Sequence, residues 1–297
     1  MVDFDVIIVG GGPAGLTAGI YCVRRKLKVV VVERGSLGGQ VNTTPEIANW
    51  PGDKLVSGPD LAKRMAEHAK SLSVEVIFDD VIGLELAGAQ KTVYLRQKQL
   101  TSSAVILAMG GSHKKMKIKG EEDYEGRGVS YCATCDGPFF KGKTVAVVGS
   151  GNMAVEDALY LSELSRKTYL LTKTLIAEDA LQNKLKKSAV EWLREKALEI
   201  TGEGNVKSVT LESGKNIPLD GVFVSVGHTP SSELAKGAGV ELDERGFIKV
   251  NRNMETNVPG VYAAGDVTGG IPQIATAVGE GCTAALRAYA HLKNQML

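Results

Sequence analysis

The feature that most constrains how this chain folds is a pattern that occurs twice: a short apolar run, a glycine-rich turn, a helical pattern and a second apolar run. In the first copy, residues 5–9 lead into the turn 10–15, and the second run, 28–32, ends at Glu33. Near-continuous apolar runs are typical of parallel strands that are buried on both faces. This copy is therefore predicted to be a β-α-β unit of the dinucleotide-binding type.

The second copy of the pattern lies in the middle of the chain. The run 144–148 precedes a turn at 149–154, and a further apolar run covers 168–171. The length of 297 residues is about that of two domains. Charged segments at 114–123 and 241–245 are the candidate hinges. We therefore expect an α/β fold with two Rossmann-like dinucleotide-binding domains, the second inserted into the first. The outer domain is predicted to comprise residues 1–113 and 245–297, and the inner domain residues 114–244.

Three further apolar runs end in glycine, which points to a ligand close to the backbone. They end at Gly110, at Gly227 and at Gly265, and Gly265 is followed by Asp266. Ligands of doubly wound sheets lie at the carboxyl ends of the strands. These residues are therefore candidates for cofactor contacts, together with Ala108 in the first of the three runs.

The first glycine-rich turn matches the dinucleotide fingerprint. Gly10 allows a tight turn, Gly12 the close approach of a pyrophosphate, and Gly15 the packing of helix on strand. Glu33 follows about 20 residues later, where an acid holds a ribose hydroxyl. A glycine turn without a ligand is the alternative, and the strand before, the helix after and the acid all argue against it.

The second glycine-rich turn is an alanine variant of the fingerprint, with Gly149, Gly151 and Ala154. Its second strand ends at Thr172-Lys173-Thr174, which offers no acid for NADH and no arginine pair for the extra phosphate of NADPH. Lys173 is the only basic candidate there. A nicotinamide nucleotide site and a vestigial site both remain open at this point.

A Cys-x-x-Cys pair stands between the two patterns, at Cys132 and Cys135, and Asp136 follows it. Two cysteines at this spacing can close a small disulfide ring. A zinc site would need two more soft ligands, and the other cysteines and the histidines show no metal spacing, so we expect no metal. Two buried cysteines without a role are the other alternative. Two dinucleotide folds and a dithiol favour electron transfer from a reductant through a flavin to the disulfide and an external partner. Asp136 is placed to exchange the proton.

Charge and hydropathy exclude several classes of function. Lys and Arg number 35 and Asp and Glu 34, which gives a net charge of +1 and no electrostatic footprint for nucleic acid. The uncharged stretch 6–23 could be a signal peptide or an anchor, but it follows Asp3 and Asp5 and is rich in glycine. We expect no membrane association and a cytoplasmic location.

Over nearly its whole length the sequence resembles the low-molecular-weight thioredoxin reductases. The motifs that carry the resemblance are Gly10–Gly15, Gly38-Gly39-Gln40, Asn49-Trp50-Pro51-Gly52, Gly126-Arg127-Gly128-Val129-Ser130, Cys132-Ala133-Thr134-Cys135-Asp136-Gly137, Gly149–Asp157, Gly227-His228-Thr229-Pro230, Gly265-Asp266-Val267 and Gln273-Ile274-Ala275.

The resemblance implies a role for each matching position. Cys135 would face the flavin, Cys132 would attack the disulfide of thioredoxin, and Asp136 would be the general acid. The residues expected to bind FAD are Gly10, Gly12, Pro13, Ala14, Gly15, Glu33, Gly39, Gln40, Asn49, Ala108, Gly110, Gly265, Asp266, Gln273, Ile274 and Ala275. Those expected at a nicotinamide nucleotide are Gly149, Gly151, Asn152, Met153, Ala154, Lys173 and Gly227. The resemblance also implies a homodimer and a rotation of the inner domain between half-reactions.

The sequence departs from the family at the nucleotide site. Members that use NADPH carry arginines where this chain has 172–174, and Glu178 and Asp179 would repel the extra phosphate. The segment 174–197 looks too short for the usual strand and helix, and Pro272 replaces an arginine. The donor is therefore NADPH or NADH, or else reduced ferredoxin or a deazaflavin. A dithiol oxidase and a non-catalytic redox sensor are the rival interpretations.

Overall fold

The chain folds into two compact units. The computed structural model describes residues 2–295. Unit 1 comprises Met1–Ser112 and Thr229–Leu297, and unit 2 comprises His113–His228. The chain thus leaves unit 1 once, builds the whole of unit 2, and returns.

The strands and helices are numbered in chain order. The strands are β1 Phe4–Val9, β2 Val29–Glu33, β3 Glu75–Phe78, β4 Val81–Glu85, β5 Lys91–Leu95, β6 Gln99–Leu107, β7 Gly111–His113, β8 Val129–Ser130, β9 Thr144–Val148, β10 Lys167–Leu171, β11 Glu191–Leu193, β12 Ala197–Glu203, β13 Asn205–Leu211, β14 Asn216–Pro218, β15 Gly221–Val224, β16 His228–Pro230 and β17 Val261–Ala263. The α-helices are α1 Pro13–Arg24, α2 Gly58–Ser71, α3 Ala133–Asp136, α4 Asn152–Leu164, α5 Asp179–Lys186, α6 Glu233–Gly237 and α7 Ile274–Lys293.

Unit 1 is built on a seven-stranded sheet in which β3, β2, β1, β6, β5 and β4 are neighbours in that order, with β17 also paired to β6. The pairs of β1 with β2 and with β6 are parallel, and β4, β5 and β6 pair antiparallel. Alternate side chains of β1 enter two different cores. Val6 and Ile8 pack with Leu16 of α1 and Ala284 of α7, whereas Ile7 lies in the core of the opposite face. The carboxyl end of β1 is thereby packed on both faces of the sheet.

Unit 2 repeats the arrangement with a smaller parallel sheet, in the order β11, β10, β9, β15, β8. Val145 and Val147 of β9 face the core that Leu161 of α4 completes. Ala146 faces the other core, which Val209 shares, and Val209 belongs to an antiparallel sheet of β12, β13 and β14. The predicted α/β fold with two dinucleotide-type sheets is confirmed, and the sheet of β12–β14 was not predicted.

The unit boundaries differ from the predicted ones at the return of the chain. The first predicted division, between residues 113 and 114, lies one residue after the observed one at Ser112. The second was placed between 244 and 245, whereas the chain re-enters unit 1 at Thr229. The chain joins unit 1 earlier than predicted because Ala235 and Val240 are buried in a hydrophobic core of that unit. The charged segment 241–245 is therefore a turn within unit 1 rather than a hinge.

The segment 174–197 holds more structure than expected. The sequence looked too short there for a helix and a strand, but α5 and β11 both lie in it, with eight and three residues. Leu185 of α5 is buried in the core beneath α4, which explains why so short a helix is stable. None of the helices within residues 2–295 has the length and hydrophobicity needed to cross a membrane.

Candidate redox and cofactor sites

The first glycine-rich turn, in unit 1, joins β1 to α1 and leaves room for a ligand. Gly10 has φ +106°, and a Cβ there would lie 2.2 Å from the carbonyl oxygen of Ala108, so only glycine fits. A Cβ on Gly12 would have no atom within 4 Å. Within the described residues, no side chain caps the first turn of α1. The free backbone amides and the open space at Gly12 fit a pyrophosphate.

Glu33 closes β2 beside this turn. Its Oε2 accepts a hydrogen bond from the backbone N–H of Gly11 at 2.7 Å, and its Oε1 accepts one from Gly35 N–H at 2.7 Å. Each carboxylate oxygen can accept more than one hydrogen bond. Glu33 is therefore fixed at the end of the strand and still has acceptor capacity for a ribose hydroxyl.

Other predicted cofactor residues in unit 1 gather around the same turn. A Cβ on Gly39 would lie 3.3 Å from the Cα of Gly12, and one on Gly265 would lie 3.1 Å from the Cβ of Ala14. These three chain segments, far apart in sequence, therefore meet at the start of α1.

Hydrogen bonds tie the remaining members of the predicted set together. The Nε2 of Gln40 donates to the carbonyl oxygen of Gly111, next to Gly110. The Nδ2 of Asn49 donates to Oε1 of Gln273 at 3.0 Å. Gln273 is the N-cap of α7, so that Ile274 and Ala275 form its first turn. Asn49 is thereby connected to the start of the C-terminal helix.

Asp266 follows Gly265, two residues after the end of β17, and its environment disfavours the ionised carboxylate. Burial, and then the nearby Glu280, raise its pKa from 3.8 to about 6. Glu280 Oε2 accepts a hydrogen bond from the N–H of Gly265 at 2.6 Å. Burial also raises the pKa of Glu280 itself. Both carboxyl groups therefore keep a proton to a higher pH than a solvent-exposed carboxyl does.

Glu280 was not among the predicted residues, although the sequence carried a signal for it. It is the only charged residue between 274 and 286, and it stands between Gly279 and Gly281. A lone acid in an otherwise uncharged helical stretch rarely lies in a core without a polar partner. Its partner, the Gly265 amide, could be identified only from the fold.

The dithiol turn lies in unit 2, directly after β8, with Cys132 just before α3 and Cys135 within it. Cys132 and Cys135 form a disulfide, with Cα atoms 5.3 Å apart. Cys132 is the N-cap of α3, and its Sγ accepts a hydrogen bond from the N–H of Cys135 at 3.2 Å. The same hydrogen bond would stabilise a thiolate on Cys132 after reduction, since thiolates are strong acceptors beside backbone amides.

Asp136 lies at the end of this turn and is largely buried. Burial raises its pKa, although a hydrogen bond from Ser130 Oγ at 2.6 Å opposes the rise. Ser130 Oγ also accepts from the N–H of Cys132 at 3.0 Å. The carboxyl group is therefore linked to the cysteine through one hydroxyl. Ser130 lies within a motif of the family resemblance, and the sequence alone indicates no role for its hydroxyl.

The second glycine-rich turn, also in unit 2, is tied to the loop that follows β10. Asn152 Nδ2 donates to Glu178 Oε1 at 2.9 Å, and the N–H of Glu178 donates back to Asn152 Oδ1 at 2.9 Å. The N–H of Ile176 donates to the carbonyl oxygen of Ser150 at 2.9 Å. These bonds hold an acidic side chain next to the first residue of α4.

The other residues predicted at the nucleotide lie in helix α4, at an open part of the turn, or in a hydrogen-bonded loop. Met153 and Ala154 belong to α4, and a Cβ on Gly149 would lie 2.7 Å from the Cβ of Ala154. Gly151 faces open space, since a Cβ there would have no atom within 4 Å. Gly227 accepts a hydrogen bond from the N–H of Lys114.

Lys173 does not stand as a free cation. Its Nζ pairs with Glu212 at 2.6 Å, and both side chains are about half exposed. A phosphate at this place would have to compete with a carboxylate that the chain already supplies. Lys173 is therefore a weak substitute for an arginine pair.

The two remaining cysteines lie in unit 1. Burial, followed by the charge of Asp5, raises the pKa of Cys22 to about 12, so its thiol is unreactive at neutral pH. Cys282 is half-buried. Across residues 2–295, no group of three or more His, Cys, Asp or Glu side chains is arranged to hold a metal ion.

Comparison with known proteins places the chain in a family. The family described as pyridine nucleotide-disulphide oxidoreductase matches residues 4–281. A thioredoxin reductase of Bacillus subtilis is 39% identical over 293 residues, which cover 95% of this chain and 92% of the relative.

Solved structures agree with this assignment. The thioredoxin reductase of Streptococcus pyogenes superposes with a TM-score of 0.94 at 36% identity, over 98% of both chains. A ferredoxin-flavin thioredoxin reductase of Clostridium acetobutylicum is 35% identical over 98% of this chain and 99% of its own, with a TM-score of 0.56. The chain therefore belongs to the pyridine nucleotide-disulphide oxidoreductase family and, within it, to the low-molecular-weight thioredoxin reductases.

Proposed function

We propose that this protein reduces the disulfide of a thioredoxin-like partner, with electrons that pass from a donor through FAD in unit 1 to Cys132 and Cys135 in unit 2. As a member of its family the chain is an oxidoreductase that acts on a sulfur group. The observation that carries the proposal is the disulfide of Cys132 and Cys135 beside the buried Asp136. A structural disulfide would have no need of a buried acid linked to it by a hydroxyl.

FAD fits the first glycine-rich turn. The amides at the start of α1 would hold its pyrophosphate, with Gly12 leaving the necessary space. Glu33 would accept from the ribose, and Asp266 and Gln273 would contact the flavin half. When bound, FAD supplies the two-electron transfer that a disulfide requires.

The thiol chemistry follows from the dithiol turn. In the reduced turn, Cys132 Sγ would attack the partner's disulfide, form a mixed disulfide and release one partner thiolate. Cys135 Sγ would then attack Cys132 Sγ, re-form the internal disulfide and release the second partner thiolate. Asp136 would give a proton to a departing thiolate, because its raised pKa keeps a proton available at higher pH than an ordinary carboxyl would.

We propose that the electron donor is not NADPH but reduced ferredoxin or a deazaflavin. Three observations support this: the arginines are absent, Lys173 is paired with Glu212, and Glu178 lies beside the second glycine-rich turn. A negative carboxylate near a nucleotide phosphate is repulsive. The name of the similar Clostridium protein, a ferredoxin-flavin thioredoxin reductase, supports the proposal.

Three further parts of the proposal, on assembly, motion and location, rest on the family resemblance. We propose a homodimer, a rotation of unit 2 between the half-reactions, and a cytoplasmic location where thioredoxin is kept reduced. Rotation would let the dithiol meet first the flavin and then the protein partner.

The donor is tested by anaerobic reduction of the purified flavoprotein. NADPH, NADH, reduced ferredoxin and a reduced deazaflavin are added to separate samples, and the flavin absorbance is followed. We expect rapid bleaching with ferredoxin or deazaflavin and none within minutes with either nucleotide. Rapid bleaching by NADPH would overturn the donor proposal, and purified protein without FAD would overturn the whole function.

A further inference from the structure

Tyr131 immediately precedes Cys132, and its side chain is held at two places. Its hydroxyl donates a hydrogen bond to Oε1 of Glu121 at 2.9 Å. Its ring stacks on the ring of His113, with centroids 5.0 Å apart and planes inclined by 17°. The residue next to the redox-active cysteine is therefore fixed in both position and orientation.

Glu121, which accepts from Tyr131, is itself immobilised. It is 1% exposed, and its two oxygens accept hydrogen bonds from the backbone amides of Met116 at 3.2 Å and Ile118 at 3.0 Å. A buried carboxylate with two amide donors has little freedom to move. Burial and the hydrogen bond to Glu121 raise the pKa of Tyr131, so its hydroxyl stays a donor at neutral pH.

His113, on the other side, is backed by a second histidine. The ring of His228 lies 4.3 Å from that of His113, tilted by 53°. Burial, and then His228, lower the pKa of His113 to about 4, and burial also lowers the pKa of His228. Both rings are therefore neutral at pH 7, and the stack on Tyr131 carries no charge.

We propose that Tyr131 is a positioning residue for the dithiol: anchored by Glu121 and stacked on His113, it fixes the direction in which the chain enters the turn and so holds the Cys132 thiol close to Cys135. The inference rests on the proposed role of these cysteines as the redox pair. It adds a residue that touches no reacting atom. Preorganising two thiols raises their effective concentration and so favours the disulfide over the dithiol.

Hydrogen bonds to Cys132 also stabilise the turn, and the contacts of Tyr131 are additional to them. Ser130 and the Cys135 amide bond to Cys132 from within the turn. Ser130 ends β8, which pairs with β15, so its hydrogen bond ties Cys132 to the sheet of unit 2. The contacts of Tyr131 add attachments to two other segments, because Glu121 and His113 lie 10 and 18 residues earlier in the chain.

The test is the equilibrium between the holoenzyme and dithiothreitol. Reduction converts the Cys132–Cys135 disulfide to two thiols, while dithiothreitol loses two hydrogens and closes to its cyclic disulfide. Samples at graded ratios are quenched with acid and alkylated, and the fraction of dithiol is counted by mass. For Tyr131→Ala we expect the equilibrium to shift toward the dithiol about tenfold, which is about 30 mV in potential. For Tyr131→Phe, which keeps the stack, about threefold is expected.

Two controls separate positioning from general loosening of unit 2. Tyr124→Phe removes a phenol hydroxyl that donates to the carbonyl oxygen of Gly202 at 2.7 Å in the same unit, and it should leave the equilibrium unchanged. His113→Phe keeps an aromatic partner and should stay near wild type, whereas His113→Ala should resemble Tyr131→Phe.

The proposal is overturned if Tyr131→Phe and His113→Ala stay within 1.5-fold of the Tyr124→Phe control, whether or not Tyr131→Ala folds. It is also overturned if all five variants shift the equilibrium equally. The measurement needs neither thioredoxin nor the electron donor. If the Tyr131 and His113 variants shift the dithiol–disulfide equilibrium as expected but the wild-type protein does not reduce thioredoxin, the proposed function is refuted and the positioning role stands.

Discussion

Replacement of Asp266 by asparagine should stabilise the apoprotein at neutral pH. In the folded chain the pKa of Asp266 rises from 3.8 to about 6, because the carboxyl is buried and lies near Glu280. A pKa difference of one between the folded and unfolded chain corresponds to about 1.4 kcal/mol, so the ionised side chain costs about 3 kcal/mol relative to a neutral isostere. Asp266→Asn removes that cost.

The effect has a defined dependence on pH. Above pH 6 Asp266 is ionised in both the folded and the unfolded chain, and the full cost is present. Between pH 6 and about 4 the folded chain keeps a proton that the unfolded chain has lost, so the cost declines as the pH falls. Below the unfolded pKa of 3.8 both states are protonated and the cost is zero. The advantage of Asp266→Asn should therefore rise from near zero at pH 4 to about 3 kcal/mol at pH 7.

The measurement is urea unfolding of apoprotein from pH 4 to pH 7. Asp243→Asn, in the same unit, is the matched control with the opposite sign. Burial raises the pKa of Asp243, but hydrogen bonds from the amides of Phe247 and Arg245 outweigh it and leave the pKa lowered. Its replacement should therefore destabilise at neutral pH and become neutral in acid. A stability difference for Asp266→Asn that is the same at every pH, or a loss of stability at pH 7, would refute the reasoning.

Three further perturbations have definite outcomes. Asp136→Asn should slow thioredoxin reduction by about 10²-fold at pH 7, while the flavin is still reduced at the wild-type rate. If rapid mixing shows that flavin reduction is slowed instead, Asp136 is not the proton donor to the departing thiolate. Gly15→Ala would place a Cβ 1.9 Å from the carbonyl oxygen of Gly10. We therefore expect the unfolding free energy to fall by about 3 kcal/mol and bound FAD to be lost. Full retention of FAD after purification would speak against the tight turn. Lys173→Ala should leave whatever weak NADPH binding calorimetry detects within twofold of the wild type, because the lysine charge is already paired with Glu212. A tenfold loss of binding in the variant would show that Lys173 binds the nucleotide.

The sequence predicted the architecture well because its signals are local. The apolar run of β1, the positive φ of Gly10 and the acid at Glu33 lie within 30 residues of one another, and each follows from backbone geometry. The Cys-x-x-Cys spacing likewise predicts a disulfide without any knowledge of the fold. Periodicity and turn chemistry are sufficient for such features.

The contacts that tune these sites were beyond the sequence. Glu280 meets Gly265 only because α7 packs against the end of β17, and Glu121 meets Tyr131 only after the segment before β8 has folded back. The return of the chain at Thr229 was misplaced for the same reason. The charges at 241–245 suggested a hinge, whereas the burial of Ala235 and Val240 decides the boundary. Burial and tertiary pairing are properties of the folded chain.

The most direct test of the account is whether electrons reach thioredoxin only through Cys132. Holoenzyme is reduced anaerobically with dithionite, freed of excess reductant and mixed with oxidised thioredoxin, and the new thioredoxin thiols are counted by alkylation. We predict thiol formation by the wild-type protein and none above background for Cys132→Ser, although the flavin of the variant is fully reduced. Thioredoxin reduction by Cys132→Ser at the wild-type rate would contradict the central claim.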